Sequence, residues 1–359
     1  MSNRTFKCSQ NIVLNETKRI SRDVPAFVVA EAACNHMCDI DLAKKMVDKA
    51  AQAGADAIKF QTYKAEKLVT KKAVAFWGEE KISQMEYYKR LDRFGRKEYA
   101  ELFEYAQEKG IVGFSSPFDK ESADMLNELD MPVFKIASCE VPNLDFIKHV
   151  ASFGKPIILS TGASEPQEID RAIETILQQG NNKLILLACT LSYPTKFEDA
   201  NLLRIKTLRE RYPGIIVGLS DHTRPDENMI IPSIGVALGA KVIEKHYTLD
   251  RSMKGSGHFF AVDPISLKKM VDNIRLMESL LGNGKLGIAD SEKKAWKSAR
   301  RSIVAEVPIK KGQVITSEML GVKRPADGLD ASMINVVIGK QAKQDIKPDQ
   351  KITLEMLED

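Results

Sequence analysis

From residue 27 onward the chain alternates short runs of Val, Ile, Leu and Phe with longer stretches in which apolar residues recur every three or four positions. Short continuous apolar runs read as strands buried on both faces, and the periodic stretches as amphipathic helices. The alternation therefore predicts repeated βα units around a parallel sheet. The runs are Phe27 to Ala32, Ala57 to Gln61, Ile111 to Ser115, Val133 to Ala137, Pro156 to Ser160, Leu184 to Cys189, Ile215 to Leu219 and Lys241 to His246. Eight of them predict a closed (β/α)8 TIM barrel.

Between the runs, Asp41 to Ala53 places Leu42, Met46, Val47 and Ala50 on one helical face, and Glu165 to Gln178 does the same with Ile169, Ile173, Ile176 and Leu177. Gly54, Gly110 and Gly180 supply helix stops. Tyr63 to Phe94, with Trp77 inside it, breaks the rhythm and predicts a long loop after the second strand, of the kind that covers active sites. A helix from Pro264 to Leu281 closes the repeat, and the glycines at 282, 284 and 287 mark the exit.

The last stretch is organised differently. Ile309 to Leu320 lines up with Ile346 to Leu357, sharing Ile, Lys, Gln, Ile, Thr, Glu, Met and Leu. Two copies are too few for a solenoid. They predict a small domain with pseudo-two-fold symmetry, each half a short strand, a Lys-Gly or Pro-Asp turn and a capped helical turn starting at Thr316 or Thr353. The expected organisation is an N-terminal extension over 1–26, a barrel over 27–287, a linker over 288–302 and a small domain over 303–359.

With 359 residues, 43% hydrophobic and 28% charged, the chain has the make-up of a globular protein with a large core, which excludes a disordered chain. Its net charge of +4 is modest and no long basic run occurs, which argues against nucleic acid as a partner. No apolar signal core stands in residues 1–20, and no uninterrupted stretch has the length of a membrane span. The expectation is a cytoplasmic protein with no membrane partner. Five scattered cysteines, Cys8, Cys34, Cys38, Cys139 and Cys189, suit reduced thiols. Cys34 and Cys38 flank His36 like a metal hook, but no second Cys/His pair stands at zinc-finger spacing.

Each apolar run ends in, or leads directly into, polar residues: Glu31, Lys59 with Gln61, Ser115 and Ser116, Lys135 with Ser138 and Glu140, Ser160 and Thr161, Thr190, Ser220-Asp221-His222, and Glu244-Lys245-His246. In a β/α barrel these positions converge on the face at the strand C-termini, where barrel enzymes do their chemistry. His222 and His246 end adjacent strands, so both imidazoles come within reach of one divalent cation with its other positions open; two core histidines bonded to backbone are the alternative. Lys59 and Lys135 suit a phosphate or carboxylate clamp, although a barrel lysine also serves as a Schiff-base nucleophile. Glu31 and Glu140 are candidate acid/base groups, or simply partners of the lysines.

Ala30-Glu31-Ala-Ala-Cys-Asn35-His36, Ile58-Lys59-Phe-Gln61-Thr62, Phe114-Ser-Ser-Pro-Phe118, Phe134-Lys135-Ile-Ala-Ser138-Cys-Glu140, Ser160-Thr161-Gly162, Gly218-Leu-Ser220-Asp-His222-Thr223 and Glu244-Lys245-His246 together resemble the sialic acid (N-acetylneuraminate) synthase family. Lys323-Arg324-Pro325-Ala-Asp-Gly328 resembles that family's antifreeze-protein-like domain, also called SAF, of β-clip type. The resemblance runs from about Phe27 to the C-terminus. It implies a homodimer in which each small domain caps the partner's barrel, and condensation of phosphoenolpyruvate with an open-chain N-acyl amino sugar to give a sialic-type acid and phosphate. It further implies that Lys59, Lys135, Ser138, Ser160 and Ser220 hold phosphoenolpyruvate with Gln61 and Glu140 beside it. By the same resemblance His222 and His246 bind Mn²⁺ or Mg²⁺, Glu31 sits near the attacked carbon or water, and Tyr193 and Arg324 contact the sugar.

One departure bears on the acceptor. Where that family usually carries an Asp that touches the sugar, this chain reads Gly255-Ser256-Gly257-His258, and His258 is the candidate replacement contact. N-acetylmannosamine, a diacetamido-trideoxyhexose, or an unacylated or phosphorylated hexose all stay open. Two rival readings also stay open: a Schiff-base pyruvate aldolase using Lys135, and a non-catalytic carbohydrate-binding protein.

Overall fold

A computed structural model describes residues 6–75 and 82–358, and the chain divides into two compact units, Met1–Gly282 and Asn283–Asp359. The first opens with an antiparallel hairpin, β1 (Asn11–Val13) and β2 (Arg19–Ser21). Eight parallel strands come next: β3 (Phe27–Ala33), β4 (Ala57–Thr62), β5 (Val112–Pro117), β6 (Phe134–Ile136), β7 (Ile157–Ser160), β8 (Leu184–Cys189), β9 (Ile216–Asp221) and β10 (Val242–His246). Each pairs with the next and β10 pairs with β3, closing the barrel that the eight apolar runs predict.

Nearly every residue of these strands is buried, because one face packs into the barrel and the other under the helices. Phe60, Phe114 and Phe134 are fully enclosed, and trimming such a ring to Ala costs about 3–5 kcal/mol. The helix Ile40–Gln52 starts at Asp39, whose carboxylate accepts from the N–H of Asp41 and Leu42 at 3.0 Å. Its buried face is Ala43, Met46, Val47 and Ala50, so Ala43 rather than Leu42 completes it. The chain leaves that helix through Gly54 at φ 85°, the left-handed turn that glycine adopts without a Cβ clash.

Within the N-terminal extension, Phe6, Ile12, Leu14 and Ile20 are buried in the barrel's own core, and Asp56, just before β4, binds Lys18 at 2.6 Å. The first compact unit runs to Gly282. The 288–302 linker contains a helix, Lys293–Ala299, since no Gly or Pro interrupts it, and Ser302 already belongs to a strand. The long 63–94 segment carries two short helices, Ala65–Leu68 and Gln84–Leu91; Trp77 lies outside the described residues.

In the second unit, β11 (Ser302–Ala305) pairs with β12 (Leu320–Lys323), and β13 (Gln341–Ala342) with β14 (Leu357–Glu358). The internal repeat is visible as symmetry. Ile309 and Ile346 exchange backbone hydrogen bonds at 2.9 and 2.8 Å, and Gln313 and Gln350 each accept from the backbone N–H three residues earlier at 2.9 Å. Gly312 and Asp349 occupy the positive-φ turn positions. Thr316 and Thr353 each precede a single 3₁₀ turn, but neither hydroxyl caps it. Ile303, Ile309, Ile315, Ile346 and Ile352 form the unit's core.

Candidate active site

Side chains alternate along a strand, so residues two apart share a face. On β10, Glu244 and His246 face the barrel interior, while Lys245 between them pairs with Asp221 of β9 on the other side. The interior assignment follows from topology. Lys135 of β6 and Glu244 of β10 lie on strands far apart around the barrel, and they approach to 3.6 Å, a contact possible only across the interior.

Four charged side chains meet there, all nearly inaccessible to solvent. Lys59 Nζ lies 2.8 Å from Glu31 Oε2 and 3.8 Å from Glu244 Oε2, and donates to Ser116 Oγ at 3.0 Å. Ser220 Oγ donates to Glu244 Oε1 at 3.0 Å, and Gln61 Nε2 to Glu31 Oε1 at 3.1 Å. The two carboxylates experience opposite pulls. Burial outweighs Lys59 at Glu31 and raises its pKa. At Glu244 burial pushes the same way, but Lys135, Lys59 and the Ser220 hydroxyl outweigh it and the pKa falls. Burial lowers Lys135, which Glu244 only partly offsets, whereas at Lys59 the effect of burial is overcome by Glu244 and Glu31. The pocket thus sets two lysines against two buried carboxylates whose pKa values are pushed in opposite directions, and its ammonium donors suit an anion.

Beside this cluster stands an aromatic wall. The His222 and His246 ring centres are 5.3 Å apart; Tyr193 lies 4.5 Å from His222 and 5.8 Å from His246, and Phe260 4.8 Å from His246. His222 Nδ1 lies 2.8 Å from the carbonyl of Thr190, a bond that only its N–H form makes, which leaves Nε2 as a lone-pair donor. His246 Nδ1 is buried without a hydrogen-bond partner, and burial, followed by the nearby His222 and the lysines, lowers the His246 pKa well below the ordinary value, keeping the ring neutral. Burial would lower the His222 pKa, but Cys189 and the Thr190 carbonyl outweigh it and raise it; once His222 gives up its Nε2 proton, the two imidazoles together offer lone pairs that fit a divalent cation. Among the described residues no group of three or more His, Cys, Asp or Glu is placed to hold a metal ion.

The remaining expected residues distribute unevenly. Ser160 Oγ is enclosed without a partner, and Ser138 is buried in the 3₁₀ turn Ser138–Glu140. A Cβ at Gly162 would lie 3.2 Å from Ser138 Oγ and 2.9 Å from Cys189 Sγ, so the glycine keeps this corner open. Glu140 is not brought to the charged cluster: the turn points it back to Asn143, whose Nδ2 donates to it at 2.8 Å. His258 is fully buried in the turn Gly257–Phe260, its Nδ1 2.7 Å from Thr248 Oγ1, with no hydrogen bond to the cluster. Arg324 belongs to the second unit and is exposed there. Cys34 Sγ lies 3.4 Å from the Tyr63 hydroxyl, and all five cysteines are free thiols.

Sequence reasoning places Glu244 among the strand-end polar residues but gives it no role. Its signal was available: it stands two residues before His246, so one facing the interior commits the other to face it too. Phe260 carried no comparable signal, since its place beside His246 depends on how the loop after β10 returns.

The model of the NeuB family matches residues 46–286. The chain belongs to the NeuB family. An SAF domain matches residues 300–358. An N,N'-diacetyllegionaminic acid synthase of Campylobacter jejuni is 38% identical over 333 residues, covering 91% of this chain and 98% of the relative. A pseudaminic acid synthase of the same species is 37% identical over 334 residues, covering 90% and 94%. The crystal structure of N-acetylneuraminic acid (sialic acid) synthetase from Leptospira borgpetersenii, in complex with citrate, superposes with a TM-score of 0.71 at 37% identity, covering 80% of this chain and 96% of that one. NeuB-family membership agrees with the resemblance carried by the strand-end motifs and with the barrel followed by an SAF domain.

Proposed function

We propose that this NeuB-family chain condenses phosphoenolpyruvate with an open-chain N-acyl hexosamine and water, giving a nonulosonic acid and phosphate. The observation that carries the reading is the convergence of Lys59 and Lys135 on one buried carboxylate, 3.8 and 3.6 Å from Glu244, beside an aromatic wall. The ammonium groups, with Gln61, Ser138, Ser160 and Ser220, hold the phosphate and carboxylate of phosphoenolpyruvate and offset their charge. C3 of the enol attacks the sugar aldehyde, water captures the cation that develops at C2, and phosphate departs by carbon–oxygen cleavage. Glu31, set between Lys59 and Gln61, takes a proton from that water. Tyr193 offers its ring to the sugar.

His222 and His246 would hold Mn²⁺ or Mg²⁺, whose contribution when bound is to polarise the aldehyde. The assembly proposed is a cytoplasmic homodimer in which Arg324 of one subunit reaches the sugar bound by the other. No described helix is long and apolar enough to cross a membrane. Borohydride treatment with pyruvate tests the choice of chemistry: no covalent adduct on Lys135 is expected, and a trapped adduct would favour a Schiff-base aldolase.

A further inference from the structure

We infer that Asp221 and Lys245 form a positioning clamp that sets the separation of His222 and His246, an inference that rests on the reading of those histidines as metal ligands. Asp221 directly precedes His222, and Lys245 directly precedes His246. The two are Cα partners in the register of β9 and β10, on the last rung of that pairing. Both are almost completely enclosed, at 4% and 2% exposure.

The polar atoms of the pair are satisfied on every side. Lys245 Nζ donates to Asp221 Oδ2 at 2.6 Å, to the Thr223 carbonyl at 2.8 Å and to Thr223 Oγ1 at 3.3 Å. Asp221 Oδ1 accepts from the Thr223 N–H at 2.9 Å. The ion pair therefore grips the backbone on both sides of His222 and ties it to the strand carrying His246. Residue 222 is held further by its carbonyl, which accepts from the Thr195 N–H at 2.9 Å.

A buried ion pair is a poor device for stability, because desolvation offsets much of its attraction, and a well-packed apolar pair serves as well or better. Its distinctive property is direction: short, charge-assisted bonds fix distance where apolar contacts slide. On the reading proposed above the two inward imidazoles share one ion, and groups behind metal ligands that fix their orientation typically govern metal affinity by 10–100-fold.

The test uses the full chain stripped of metal and titrated with Mn²⁺ alone, by calorimetry and by the Mn²⁺ electron-spin resonance signal. Asp221→Glu keeps the charge but lengthens the arm, and Asp221→Asn with Lys245→Gln removes both charges while keeping hydrogen-bonding groups. Each folded variant should bind Mn²⁺ about 10–100-fold more weakly, with phosphoenolpyruvate affinity of the metal-free protein unchanged. A variant that folds, melts at lower temperature and binds Mn²⁺ like the parent would overturn the clamp and leave the pair a stabilising contact. If the parent chain itself binds neither Mn²⁺ nor Mg²⁺, the metal reading falls first, a failure distinct from the clamp's.

Discussion

Lys135 and Glu244 approach to 3.6 Å across the interior of the barrel. Glu244 also accepts from Ser220 and faces Lys59, so this carboxylate balances two buried ammonium groups. Glu244→Gln leaves those charges facing each other. Turnover per bound substrate should fall at least about 100-fold, corresponding to about 2.7 kcal/mol of barrel-mouth electrostatics, and thermal stability should fall with it, since breaking a buried pair costs about 3–5 kcal/mol. Steady-state kinetics and a melting curve check both.

Glu31 titrates above the ordinary carboxylate range because burial outweighs the pull of Lys59. As the group that takes a proton from water it works ionised, so the rate should rise with pH through that elevated pKa. Glu31→Gln should lose about two orders of magnitude in rate, within the usual contribution of a general base, and should lack this acid limb. A Gln variant with the parent's pH profile would assign Glu31 a binding role only.

Much of the architecture was legible because barrel strands are buried on both faces and their apolar runs stand out against amphipathic helices. Lys59, Lys135, Ser220, His222 and His246 were legible because each is a polar residue standing within such a run or within three residues after it. Glu244 was obscured by its neighbours, and its role appears only when Lys59 and Lys135 are brought to it from β4 and β6. Glu140 shows the converse: it comes after a strand, yet a 3₁₀ turn aims it at Asn143. The hairpin at 11–21 escaped notice because its strands are three residues each and mostly polar outside Ile12 and Ile20.

His36 is stacked on Phe94 at 4.5 Å, edge-on to Phe60 at 5.8 Å, and burial lowers its pKa to about 4. Below pH 6.5 the unfolded chain binds a proton that the folded chain refuses, so this residue's contribution, full above pH 6.5, is lost as pH falls toward 4. The loss approaches about 3 kcal/mol at the lower limit. The decline in melting temperature between pH 7 and pH 4.5 should be shallower in His36→Gln than in the parent. Parallel declines would show that His36 takes its proton in the folded state.

His222→Ala or His246→Ala should abolish turnover while leaving the far-UV circular dichroism unchanged, and excess EDTA should reproduce the loss. Re-addition of Mn²⁺ or Mg²⁺ should restore the parent chain and neither variant. Full activity in EDTA, with elemental analysis finding no bound metal, would remove the metal from the account.

The central claim is that phosphoenolpyruvate is consumed only together with an amino sugar. Its most direct test is phosphate release from phosphoenolpyruvate by the full chain, with Mn²⁺ and a panel comprising N-acetylmannosamine, its phosphorylated form, diacetamido-trideoxyhexoses and unacylated hexosamines. The account predicts release with at least one N-acyl sugar, none without a sugar, and one nonulosonic acid formed per phosphate by mass spectrometry. Release independent of any sugar, or none with every member of the panel while phosphoenolpyruvate is bound, would contradict it.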